Sequence, residues 1–205
     1  GALGVNDSLI GGAGDDTITG YNGSTTAAWD YVDGGDGIDR LIFGYTAGGS
    51  GWIFNGDDSW LQNVEILDLS QADINYTLNL NGTQTEGFII IGSTFNDSIV
   101  GGLGADSITG GVGNDALTGD TGVDTLLGGS GNDSLFGAQG DGLLDGGDGA
   151  NELSLGASFT DSGDGQILGI EQVVLTAAGL TLNLANQSEG FVITGYASGA
   201  STVTG

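Results

Sequence analysis

The sequence predicts an all-β chain, a parallel β-solenoid built on nine-residue glycine turns of the form G-G-x-G-x-D-x-U-x, with U apolar, and continued by further β coils. Three observations predict it. Nine-residue units recur without interruption, the segments between them are short, β-branched and alternating, and no stretch of ordinary helix length carries a 3.6-residue apolar period.

The repeat is clearest at 101–136, where GGLGADSIT, GGVGNDALT, GDTGVDTLL and GGSGNDSLF follow one another. GSTFNDSIV precedes them and keeps only the D-x-U-x half. GAQGDGLLD follows, with Gly142 in the Asp slot, and then GGDGANELS, with Asn151 there. A shorter block shows the same period in NDSLI, GGAGDDTIT, WDYVD and GGDGIDRLI, with a five-residue turn insertion that makes the step from Asp16 to Asp30 14 residues rather than 9.

Each unit reads as a turn plus a very short strand. The glycines permit positive φ and close backbone approach, and the x-U-x triplet points out, in and out, sending one apolar side chain inward. Two units with opposed strands close one coil, and coils stack with parallel strands about 4.8 Å apart. The predicted core column is Leu9, Ile18, Val32, Leu41, Ile99, Ile108, Leu117, Leu126, Leu135, Leu144 and Leu153. One aliphatic per nine residues is a thin core.

Alternate units fall on the same side, so acids 18 residues apart stack: Asp97, Asp115 and Asp133 on one side, Asp106 and Asp124 on the other. Asn151 continues the first column and Gly142 ends the second. Two carboxylates at the rung spacing repel by roughly 3.5 kcal/mol at an effective dielectric of 20. A dication between them reverses the sign, and carbonyls exposed by the turns complete an oxygen shell of the size calcium takes; magnesium demands a tighter octahedron. The candidate ligands are Asp7, Gly12, Gly14, Asp16, Asp30, Gly35, Gly37, Asp39, Asp97, Gly102, Gly104, Asp106, Gly111, Gly113, Asp115, Gly122, Asp124, Gly129, Gly131, Asp133 and Asn151. The insertion leaves the pairing of Asp7 with Asp30 and of Asp16 with Asp39 open.

Composition excludes much else. The 205 residues contain no His, Cys or Pro, one basic residue (Arg40) and 27 acids, for a net charge of −26. Histidine triads, thiol nucleophiles, Schiff-base lysines, His or Cys zinc sites and a P-loop lysine cannot be assembled within such a chain. Nucleic acid is excluded as a partner because phosphate binding needs cations. Membrane insertion is not expected, since the strongest apolar run, Phe88 to Ile91, is far too short to span a bilayer. With no initial Met, the chain reads as processed or as part of something longer.

The segments between the blocks repeat at a coarser period. LQNVEILDLS at 61–70 answers to ILGIEQVVLT at 167–176, TLNL recurs at 77–80 and 181–184, and EGFIIIG answers to EGFVITG. The organisation expected is one solenoid with calcium-binding block 1 at 1–44, strand insert 1 at 45–91, block 2 at 92–156 and insert 2 at 157–205. The recurring Glu65, Glu171, Glu86 and Glu189 are read as repeat geometry rather than a glycosidase dyad, because nothing indicates a cleft. Trp29, Trp52 and Trp60, with Tyr21, Tyr31, Tyr45 and Phe54, form either a contact surface or a small satellite core.

The array GGLGADSITGGVGNDALT, with GGSGNDSLF, GGAGDDTIT and GGDGIDRLI, resembles the nonapeptide repeats of RTX (repeats-in-toxin) proteins over just over half the chain. The resemblance implies a parallel β-roll that binds several calcium ions, in a secreted bacterial protein exported unfolded by a type I system and folding in extracellular calcium. The function expected is a non-enzymatic structural segment of an adhesin stalk, surface layer or extracellular filament on the bacterial cell surface, with neighbouring copies as end-to-end partners. The alternative is an accessory β-roll of a secreted protease, lipase or epimerase, which flanking sequence would distinguish. Ice binding is disfavoured because the outward positions are not uniformly Thr.

Overall fold

The structure, a computed structural model, describes residues 8–21, 31–43, 53–54, 60–80, 84–138, 140–196 and 201–204. Among these residues there is no helix, and every strand pairing is parallel. The first repeat block supplies β1 (Ser8–Ala13), β2 (Thr17–Tyr21), β3 (Tyr31–Asp36) and β4 (Arg40–Phe43). The segment after it supplies β5 (Ile53–Phe54), β6 (Leu61–Gln62), β7 (Ile66–Asp68), β8 (Thr77–Asn79) and β9 (Ile89–Ile91). The uninterrupted repeats form β10 (Ser98–Gly102), β11 (Ser107–Val112), β12 (Ala116–Asp120), β13 (Thr125–Ser130), β14 (Ser134–Gly137), β15 (Leu143–Asp148) and β16 (Glu152–Leu155). The last segment gives β17 (Phe159–Thr160), β18 (Ile167–Leu168), β19 (Gln172–Leu175), β20 (Thr181–Asn183), β21 (Val192–Thr194) and β22 (Thr202–Thr204).

These strands make four sheets: β1-β3-β6, β2-β4-β7-β9-β11-β13-β15-β18, β5-β8-β10-β12-β14-β16-β19-β21 and β17-β20-β22. The orders describe a handover. The chain first alternates between the first and second sheets. Through β3 to β8 it visits the first, second and third in turn, then alternates between the second and third from β9 to β14. Through β15 to β20 it visits the second, third and fourth, and β21 and β22 lie in the third and fourth. Each non-repeat segment therefore makes its coils three-sided, and on leaving it the roll has moved round by one side. The inserts continue the solenoid as β coils, as the alternating pattern predicts.

The inward column is continuous. Ile99 sits over Leu117, Leu117 over Leu135 and Leu135 over Leu153 on one face, and Ile108, Leu126 and Leu144 stack on the other. All seven are fully buried, as are Leu41 and Val32. Leu9 and Ile18 are only half-buried, because β1 and β2 are the outermost described rungs of their sheets. The core is thin only in the two-sided coils. The three-sided coils enclose more space and fill it with larger side chains: Phe43 meets Tyr76 edge-on at 6.1 Å and 70°, and Phe88 and Phe159 are buried too. There the lone basic residue, Arg40, donates from both Nε and Nη2 to Asp68 Oδ2, and Asp68 is buried. Despite burial, hydrogen bonds from Ser70 and the Arg40 guanidinium hold the Asp68 carboxyl below its ordinary range. Of the aromatic group noted in the sequence, Trp29, Tyr45 and Trp52 lie outside the described residues. Trp60 is half-buried and its carbonyl accepts the Val32 N–H, while the single Tyr31 hydroxyl proton lies within reach of both Asp33 Oδ2 and Gln62 Oε1.

Candidate metal centre

The periodic aspartates stand at the turn just before each strand, and their carboxylates link rung to rung. The backbone N–H of Asp97 donates to Asp115 Oδ1 at 2.7 Å, that of Asp115 to Asp133 Oδ1 at 2.8 Å, and that of Asp133 to Asn151 Oδ1 at 2.8 Å. On the other edge Phe88 N–H donates to Asp106 Oδ1 and Asp106 N–H to Asp124 Oδ1, both at 2.8 Å. In the first block Asp16 N–H donates to Asp39 Oδ1 at 2.7 Å, which pairs these two acids across the insertion. Asp7 and Asp30 lie outside the described residues.

One oxygen each of Asp39, Asp106, Asp115, Asp124 and Asp133 is thus used by the fold. Oδ2 is not: that of Asp16, Asp39, Asp106, Asp115, Asp124 and Asp133 is buried without a hydrogen-bond partner. Each of these oxygens lies beside the first glycine of its own turn, and in five of the six the carbonyl oxygen of the next rung reaches the same place. A Cβ on Gly110 would meet Asp115 Oδ2 and, at 2.7 Å, Gly128 O; one on Gly128 would meet Asp133 Oδ2 and, at 2.5 Å, Gly146 O. The same pair is formed at Gly101 by Asp106 and Gly119 O, at Gly11 by Asp16 and Gly34 O, and at Gly34 by Asp39 and Asn63 O. At Gly119 the nearest atoms all belong to Asp124. Buried carboxylate oxygens that have no donor, with a backbone carbonyl oxygen nearby and repeated rung after rung, call for a cation when ionised. Among the described residues no point gathers three or more acidic side chains, so a cation beside these oxygens would draw on backbone oxygens as well as carboxylate. That is hard-oxygen chemistry of the calcium type.

Burial has an electrostatic signature. It pushes the Asp106 carboxyl up to about 7, with the charges of Asp124 and Asp120 adding to the rise against the hydrogen bond from Phe88. Burial likewise pushes Asp115 up to about 6, and raises Asp97, Asp124 and Asp133. Asp97 differs from its column mates: Oδ2 accepts the Ser93 N–H and hydroxyl, both at 2.8 Å, so that rung is satisfied by protein donors.

The candidate glycines shape the turns. Gly12, Gly14, Gly35, Gly37, Gly102, Gly111, Gly113, Gly122, Gly129 and Gly131 all have positive φ, whereas Gly104 does not and packs against the Glu86 carbonyl. Asp120 takes the second-glycine place in its unit at φ 75°. The first glycine of each turn, absent from the sequence-derived set, is the one that opens the space beside Oδ2. Another acid that strict period missed is Asp141, one position before the Gly142 slot. It is 3% exposed, its Oδ2 accepts the Ala138 N–H at 2.6 Å, and Oδ1 is buried and unpartnered. Burial, and then the neighbouring Asp124 charge, push it up to about 6. Asn151 presents its Oδ1 to Asp133 and its amide nitrogen to Gly169 O at 2.8 Å and Gly147 O at 3.3 Å. Glu65 and Glu171 do matching work at the block ends: their Oε2 atoms accept the N–H of Asp39 and of Asn151.

The RTX calcium-binding nonapeptide repeat, in 4 copies, matches residues 4–41, 89–117 and 118–153, just over half of the chain. The chain belongs to the RTX calcium-binding nonapeptide-repeat family. RTX repeats bind calcium ions, and the orphaned oxygens fit that ion. No curated protein matches the chain. Among the described residues no helix is long and apolar enough to cross a membrane.

Proposed function

We propose that this segment is a calcium-folded structural element of a large secreted bacterial protein, an adhesin stalk, surface-layer component or extracellular filament, that stiffens on meeting extracellular ions. Its ions are held by Asp16, Asp39, Asp106, Asp115, Asp124 and Asp133, each with a carbonyl of its turn or the next rung. The observation that carries this is the row of buried, unpartnered Oδ2 atoms. In the ion-free chain those oxygens oppose folding; with ions bound, the same atoms join successive rungs. A chain that stays open at low intracellular calcium and closes at about 0.1 to 1 mM outside would suit export before folding. The superhelical handover from one pair of sheets to the next lets such units continue in tandem, which supports a stalk with copies end to end. Circular dichroism during a calcium titration, with magnesium as control, tests the reading. Strand signal that appears with calcium and not with equal magnesium is expected; full strand signal in the ion-stripped chain would overturn it.

A further inference from the structure

We infer that the two rolls close their ion columns by different chemistry: the first with an ion shared between Asp39 and the insert residue Asn63, the second with the Asn151 side-chain amide standing in the ion's place. This rests on the calcium-folding reading above and specifies where that reading stops applying.

The two ends are built alike. Gly34 corresponds to Gly146, Asp39 to Asn151, Asn63 to Gly169 and Glu65 to Glu171. Asn63 and Gly169 both have positive φ, at 50° and 56°. Asp39 N–H donates to Glu65 Oε2 at 2.7 Å and Asn151 N–H to Glu171 Oε2 at 2.6 Å. A Cβ on Gly34 would meet Asn63 O and, at 2.5 Å, Asp39 Oδ2; one on Gly146 would meet Gly169 O and the Asn151 side chain. One atom separates them. Asp39 Oδ2 is a buried acceptor facing another acceptor, whereas Asn151 Nδ2 is a donor facing Gly169 O at 2.8 Å and Gly147 O at 3.3 Å.

The amide cannot turn over to offer its oxygen. Asn151 Oδ1 already accepts the Asp133 N–H at 2.8 Å, and reversal would put Nδ2 against that donor and Oδ1 against two carbonyls. An amide nitrogen has no lone pair for a cation. Sequence period places Asn151 next in the metal column; its geometry gives it the cation's job instead, so the link between the second roll and its insert needs no ion of its own.

Ion counting on the full chain tests this with Asp39→Asn and Asn151→Asp. Relative to the unsubstituted chain, N151D is expected to bind one more calcium and D39N one fewer, with strand content in saturating calcium checked for each. Hydrogen exchange on the unsubstituted chain at sub-saturating calcium, where strand signal is present, supplies a readout independent of the variants: residues 146–155 and 167–175 are expected to exchange more slowly than 34–43 and 61–69. Unchanged counts in both variants, or equal exchange at the two ends, would overturn the inference. An unsubstituted chain that takes up no calcium would instead overturn the reading on which it rests.

Discussion

Acid should do for the ion-stripped chain part of what calcium does. Asp106 and Asp115 stand at about 7 and about 6 in the folded state against an ordinary value of 3.8. A carboxyl raised on folding contributes stability that is fully present below its unfolded value and is lost as pH rises through its folded value. At 1.36 kcal/mol per unit, and before the reduction that solvent screening brings, Asp106 alone costs the ion-free fold at most about 4 kcal/mol at pH 8 relative to pH 4, and Asp115 at most about 2 kcal/mol. Against a domain stability of about 5 to 15 kcal/mol, that is enough to decide whether the roll stands. The assay is circular dichroism of resin-stripped protein, without added chelator, from pH 8 to pH 4, with urea unfolding at each pH where strand signal is present. Stability is expected to begin rising on acidification near pH 7 and to change most steeply near pH 5, between the folded and unfolded values, and calcium is expected to lose its stabilising effect over the same interval. The chain has no His, so nothing else of ordinary pKa titrates there. Relief of general repulsion among surface acids would set in only near pH 4. A flat profile above pH 5, or a fall on acidification, would refute the reasoning.

Gly110→Ala should remove one bound calcium and cost about 1 to 3 kcal/mol by overpacking, because its Cβ meets Asp115 Oδ2 and Gly128 O. Gly163→Ala, with nothing within 4 Å, should change stability by less than about 0.5 kcal/mol and leave the ion count alone. Leu126→Ala, between Ile108 and Leu144, should cost about 2 to 5 kcal/mol in urea unfolding at saturating calcium. Arg40→Met should cost about 1 to 3 kcal/mol, since it strands the buried Asp68 while Arg40 itself is partly exposed; adding Asp68→Asn should restore much of the loss.

Much of this was readable from residue phase alone. Ile99, Ile108, Leu117 and Leu126 fall inward because one apolar residue per nine can face only one way in an x-U-x strand. The aspartate columns follow from the same phase, including the 18-residue partnership of Asp97 with Asp115 and of Asp106 with Asp124. Asp141 escaped because it reaches Asp124 from one place early, where a turn of different shape carries it. The motif glycines look alike in sequence, yet in the fold Gly110 makes room whereas Gly111 bends the chain. Glu65 and Glu171 recur visibly, but their role depends on the N–H of Asp39 and Asn151, 26 and 20 residues away. Phase says inward or outward; it does not say which of three sides a strand joins, so the handover between sheets had no local signature.

That handover bears on how the segment would part under load. Inter-strand hydrogen bonds run along the axis, so a pull on the two ends stretches every bond between a pair of neighbouring coils at once. Where the first sheet ends at β6, the third has already begun at β5, and the fourth begins at β17 while the second continues to β18. The seams are staggered like courses of brick, and no single cut passes through the ends of all the ladders. Three ladders share the force across the wide coils and only two across the stretch from β9 to β14, so this narrow stretch is where the segment is expected to yield first, and ions joining Asp106, Asp115, Asp124 or Asp133 to the next rung would add tensile strength there.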